Sequence, residues 1–189
     1  MKISFQTSLI QVIGVCVCGF AIKKSNNELI FATSILIYSL LHFLLGLIIY
    51  SNPIASNKLK LLYEKSSSLV SNCLYVPLIN IQLLSLYKAD YWQLKNLIII
   101  TSLTLSLFIV IEKCWKLFLD VFLTTQCVLL MYLSMRFDDE NFWLHSLTVL
   151  IFLNYFAIPE LAGRFSVPKQ ELLSISLIFQ NIFLVNSLF

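Results

Sequence analysis

Between Glu28 and Tyr50 the sequence runs for 23 residues with no charge after the opening glutamate. A helix needs about 20 apolar residues to cross hydrocarbon, whereas a buried strand needs only a handful. A run this long has one comfortable solvent, and it is lipid. The rest of the chain repeats the plan of apolar run and short polar break.

Composition agrees: 59% of the 189 residues are hydrophobic and 12% are charged, with a mean hydropathy of +0.86. Globular domains carry about 25% charged residues, and a water-soluble fold of this size needs that polar surface to cover its core. Within lipid every backbone polar group must be satisfied internally, which leaves helices or a closed barrel. A barrel would alternate polar and apolar over segments of about ten residues. The runs here are continuous, so the sequence predicts an all-α, polytopic transmembrane bundle without a soluble domain.

Seven spans are expected, near residues 5–22, 28–50, 67–87, 97–111, 117–135, 142–159 and 172–189. The first also reads as a cleavable signal peptide, with Lys2 ahead of an apolar stretch and Gly19-Phe20-Ala21 as a small-x-small site; cleavage would leave six. Residues 54–66 carry Lys58, Lys60, Glu64 and Lys65 and read as a short interfacial connector. Pro77 is expected to kink the third span. Asp138, Asp139 and Glu140 would open the sixth, where the helix macrodipole favours negative charge. Gly163 and Pro168 mark the connector between 160 and 171 as a break. Eight Lys and Arg residues fall on the side of the N-terminus and five on the other, which predicts a cytoplasmic N-terminus. Short loops and the lack of any N-x-Ser/Thr sequon fit the endoplasmic reticulum or another endomembrane.

Five side chains stand out as a candidate intramembrane polar seam. Asp120 is the carboxylate that falls inside an expected span, and Glu112, Lys116 and Asp120 share one helical face, so a local ion pair accounts for it as well as an ion site does. Thr124 follows on the same stripe with Cys127, Met131 and Ser134. His145 lies with Thr148, Phe152, Tyr155 and Pro159 on one face of the next span. If the two faces meet, polar groups line the contact; interhelical hydrogen bonding is the bland explanation. His42 sits deeper, with Ser39 and Gly46 on its face.

Other chemistry is poorly provided for. Five cysteines are distributed as small apolar residues, and Cys16-x-Cys18 points its thiols apart on a helix. Two histidines do not supply a metal site, and no phosphate-binding or nucleophile motif is present. No cofactor is expected. No basic patch suits nucleic acid. The expected partners are the bilayer and another membrane protein. The sequence therefore predicts a non-enzymatic accessory or assembly subunit acting through helix–helix contacts, with a small transporter or channel subunit using His42, Asp120, Thr124, His145 and Tyr155 as the alternative.

Overall fold

Long apolar runs with few glycines and prolines become long helices. The computed structural model describes residues 5–25, 29–52, 56–87, 95–101, 116–137, 141–165 and 169–188. Among them every regular element is helical: α1 (Phe5–Lys24), α2 (Ile30–Ser51), α3 (Asn57–Ser68), a π-helical segment (Leu69–Leu74), α4 (Tyr75–Leu86), α5 (Lys116–Phe137), α6 (Phe142–Phe156), α7 (Ile158–Phe165) and α8 (Lys169–Leu188). Five helices are long and apolar enough to cross a membrane, over Thr7–Lys24, Ile30–Ser51, Asn57–Leu86, Phe118–Arg136 and Lys169–Leu188. The fourth expected span, 97–111, lies for the most part outside the described residues, as do the acidic residues 138–140.

Three expectations change. Residues 54–66 were expected as a connector, yet Asn57 to Leu86 is one continuous helical rod. Ser56 starts it, its hydroxyl accepting from Leu59 N at 3.3 Å. No breaker follows for a further twenty residues, and Tyr63 and Ser67 are buried, so packing holds the first turns. The lysines ride on the exposed face. Second, the expected span 142–159 stops at Phe156. Pro159 has no N–H for the carbonyl of Tyr155, so the chain turns at Ala157 and restarts as α7 with the proline in its first turn. Third, Gly163 does not break the chain but lies inside α7, exposed, with nothing within 4 Å of where its Cβ would be.

Pro77 deforms the rod one turn upstream. The π segment ends at Leu74, and the N–H of Tyr75 reaches back five residues to Val70 O. A wide turn of this kind relieves the clash between a proline ring and the preceding carbonyls.

Close packing fixes the arrangement. Gly14 of α1 admits the ring of Phe43, and Gly46 of α2 admits the amide of Gln11, so the two helices lock reciprocally. We call the end of the bundle where α1 begins proximal and the other distal. Helices α1, α3–α4, α5 and α8 run from proximal to distal, and α2 and α6 return. The direction of α5 follows from two contacts: Ser71 faces Asp120 and Leu123, while Asn80 further along donates to Gln126. Helices α4 and α5 are therefore parallel. Phe43, Tyr75, Ile79, Leu130, Leu144 and Leu184 fill the core between them.

Polar side chains tie the helices where the backbone needs them. Gln82 Oε1 on α4 accepts from Phe31 N at 3.1 Å and Ala32 N at 3.3 Å, capping an α2 terminus that has no side-chain cap of its own. Asn141 caps α6, accepting from Leu144 N at 3.0 Å and donating to Ser187 O at 3.2 Å. Asn181 accepts from Tyr75 Oη at 3.2 Å and donates to Cys18 Sγ at 3.3 Å. Cys16, Cys18, Cys73 and Cys127 are free thiols.

Candidate functional site

The five seam residues occupy four separate places. His42, 3% exposed in the middle of α2, stacks on Tyr63 with ring centroids 4.6 Å apart and planes 8° from parallel. Its Nδ1 lies 2.8 Å from Ser66 Oγ, and that hydroxyl gives its proton to Tyr63 O at 2.8 Å. Ser66 can then only accept from the histidine, which assigns the proton to Nδ1. Tyr63 also closes a triangle one turn nearer the proximal end: Gln11 Nε2 donates to Tyr63 Oη at 3.2 Å and to Ser174 Oγ at 3.3 Å, and the two hydroxyls are 3.1 Å apart. Thr7 donates to Glu171 at 2.6 Å above it. Helices α1, α2, α3 and α8 are cross-linked here into a polar knot that is packed rather than open.

His145 lies elsewhere, on a groove of about 440 Å³ between α5 and α6 that Met131, Met135, Val149, Phe152 and Phe156 make apolar. The expected meeting of the two stripes does occur, but not as a polar seam. Ser134 donates to Met131 O at 2.9 Å, Thr148 to Leu144 O at 2.9 Å, and His145 Nδ1 bonds Asn141 O at 2.9 Å. Each short polar side chain is satisfied by its own helix, so nothing polar is left for the neighbour. Thr124 behaves alike, donating to Asp120 O at 2.7 Å on the exposed side of α5.

Asp120 and Tyr155 do come together. They line a cleft of about 390 Å³ at the proximal end, enclosed by α3 and the π segment, α5, α6 and α8. One wall is the stripe Glu64, Ser67, Ser68 and Ser71, spaced i, i+3, i+4 and i+7. Opposite stands Asp120 with Leu119 and Leu123; Lys169 and Gln170 of α8 form the rim. The floor is Tyr155 and Asn154. Because the π turn sends Tyr75 N–H to Val70, the carbonyl of Ser71 is offered sideways, and the Tyr155 hydroxyl donates to it. Asn154 is 7% exposed, and among the described residues its Oδ1 has no hydrogen-bond partner.

Within this apolar bundle the cleft gathers two carboxylates, one ammonium and several hydroxyls and amides on one small volume. The expected partner of Asp120, Lys116, has a side chain outside the described residues. Glu64, the serine stripe, Asn154 and Lys169 escaped sequence reading; the i, i+3, i+4, i+7 spacing was the available signal. Among the described residues no group of three His, Cys, Asp or Glu side chains is placed to hold a metal ion. The cleft can bind, orient and partly dehydrate a polar guest. Comparison with protein-family models, with curated proteins and with solved structures finds no match for the chain.

Proposed function

We propose that this chain is a multi-pass membrane protein that takes up a small polar solute in the proximal cleft, the binding step of a small carrier or channel subunit. The observation that carries this reading is the cleft itself: a polar hollow of about 390 Å³, bearing Glu64, Asp120 and Lys169, cut into a bundle whose core cluster is apolar. All three charged side chains are exposed and stay hydrated where the cleft opens, and ionisable groups at the edge of hydrocarbon mark a solute path by default. A π segment in the wall is in keeping, since such irregularities collect at functional sites.

Seven passes suit the same reading. Helices α4 and α5 run parallel, and the sequence between them carries the apolar run 97–111, which supports a further pass. Lys58, Lys60, Lys65, Arg164 and Lys169 stand at the proximal end against Lys23, Lys24 and Arg136 at the distal end. That bias puts the cleft on the cytoplasmic face.

A cysteine placed at Leu119, an uncharged residue of the cleft wall, tests the proposal. In sealed vesicles, a membrane-impermeant maleimide should label Leu119→Cys above the wild-type background from the cytoplasmic side alone, and a polar solute that fits should protect it. Labelling from neither side, or from both, would end this reading.

A second reading, an accessory subunit that packs on a larger membrane protein, is favoured by the blind end of the cleft. Below the Tyr155–Ser71 bond the bundle is closed by Cys73, Cys127, Leu130 and Leu144, all essentially inaccessible. Recovery of a stoichiometric membrane partner in mild detergent supports that role; a lone monodisperse chain that still binds solute excludes it.

A further inference from the structure

We infer that the guest of the proximal cleft carries a primary ammonium group joined to an anionic group, an inference that rests on the solute-binding reading above. Among the described residues the charges on its walls are two carboxylates, Glu64 and Asp120, and one ammonium, Lys169. A simple anion would meet two like charges, and a simple cation would meet Lys169 at the rim. A zwitterion places opposite charge against all three.

Asn154 narrows the cationic end. Its amide is nine-tenths buried in the cleft floor, and Oδ1 has no donor among the described residues. A buried acceptor without a partner costs free energy, so a guest that brings an N–H is favoured over one that does not. Asn154 lines the cleft, and its broad terminal torsion lets the amide adjust to a donor placed beside it. Tyr155 is no rival donor, because its hydroxyl is given to Ser71 O. A primary ammonium supplies three N–H groups to Asn154, Asp120 and Glu64. A quaternary ammonium of the same charge supplies none and is bulkier.

Position adds a second element. The cleft opens at the proximal ends of α3, α5 and α8, beside α7, a short helix with Glu160, Leu161 and Arg164 exposed. Such an amphipathic helix suits the lipid–water boundary. The same chemistry can therefore arrive in two ways, as the ethanolamine phosphate headgroup of a lipid or as a free zwitterion.

The experiment uses the full chain in nanodiscs of phosphatidylcholine, with thermal unfolding as readout. Soluble phosphoethanolamine should raise the melting temperature saturably, and phosphocholine should bind at least tenfold more weakly. Asp120→Asn and Glu64→Gln should each weaken phosphoethanolamine by roughly tenfold or more, as expected when a charge-assisted hydrogen bond is lost. Both side chains are exposed, so an unshifted melting temperature without ligand verifies that the variants fold. If discs doped with phosphatidylethanolamine reproduce the stabilisation and weaken the soluble probe, the lipid headgroup is the guest; if doping has no effect, the free zwitterion is. Equal response to the primary and quaternary amines, or binding untouched by either carboxylate variant, overturns the inference. Stabilisation by acetate or a neutral solute alone would overturn it and leave the solute-binding reading intact. Silence from every probe overturns both.

Discussion

Replacing Gly46 by alanine tests whether α1 is keyed into the bundle. A Cβ at this position would lie 2.5 Å from Gln11 Oε1, 2.7 Å from Gln11 Cδ and 2.9 Å from Tyr63 Cε2. Carbon contacts settle at about 3.5–4.0 Å, so the Gln11 amide has to retreat by roughly 1 Å. Its bonds to Tyr63 and Ser174 are already 3.2 and 3.3 Å long, and both would be lost. Overpacking costs about 1–3 kcal/mol, and each intramembrane hydrogen bond adds about 0.6 kcal/mol. Alanine returns roughly 0.8–1 kcal/mol of helix propensity. The net loss is about 1–3 kcal/mol, or roughly 3–12 °C in melting temperature for a chain of this length. Thermal unfolding in detergent measures it, with two companions. Gly19→Ala, in α1 with nothing near its Cβ position, should be neutral or stabilising. In a Gln11→Ala background the clash is largely gone, so the cost of Gly46→Ala should fall by at least half. The reasoning is refuted if Gly46→Ala is harmless, or if its cost is the same with and without Gln11.

Gln82→Ala should cost about 0.5–2 kcal/mol, as for a lost helix cap, and hydrogen exchange should accelerate at Phe31 and Ala32 before other α2 amides; unchanged protection there would refute the capping role. Tyr155→Phe leaves the Ser71 carbonyl without its donor and should cost about 1–3 kcal/mol, with exchange rising across Leu69–Leu74; a melting temperature equal to wild type would count against it. Because Thr7, Gln11, Gly14 and Cys18 are all engaged with α2, α3 or α8, the mature protein should retain residues 5–24. Intact-mass measurement on protein purified from membranes decides this, and a chain beginning after Ala21 would contradict it.

The helices were legible because the apolar runs are long: 28–50 lies over α2 (Ile30–Ser51), and 117–135 lies within α5 (Lys116–Phe137). The same logic failed where charge and breaker residues were taken as local punctuation. Lys58, Lys60 and Lys65 made 54–66 look like a connector. They say only that one face of α3 is exposed, while Tyr63, Ser66 and Ser67 of the same turns face inward. Starting the span at residue 67 cut the stripe Glu64, Ser67, Ser68 and Ser71 in two, and with it the wall of the cleft. Pro77 and Pro159 were legible as disturbances. Their form was not: a π segment ahead of one and a chain reversal at the other depend on what packs nearby.

The candidate seam shows why polarity on a helical face does not by itself locate a site. Thr124, Thr125, Ser134 and Thr148 bond to carbonyls three or four residues back on their own helices, so their faces are apolar to a neighbour whatever the sequence suggests. The groups that reach across are longer: Gln11, Asn80, Gln82, Tyr75, Tyr155 and Asn181 each bond to a different helix. Short hydroxyls cross as well where a polar partner stands opposite, as Thr7 does to Glu171 and Ser174 to Tyr63. Gln11 and Asn80 still leave an amide oxygen unmatched, but each already donates twice. Asn154 differs. Its unmatched oxygen sits in the floor of a polar cleft, with Asp120 on the wall and Lys169 on the rim. An apolar side chain of that size would cost the bundle less, so on the solute-binding proposal this oxygen is the one that a guest's N–H would satisfy.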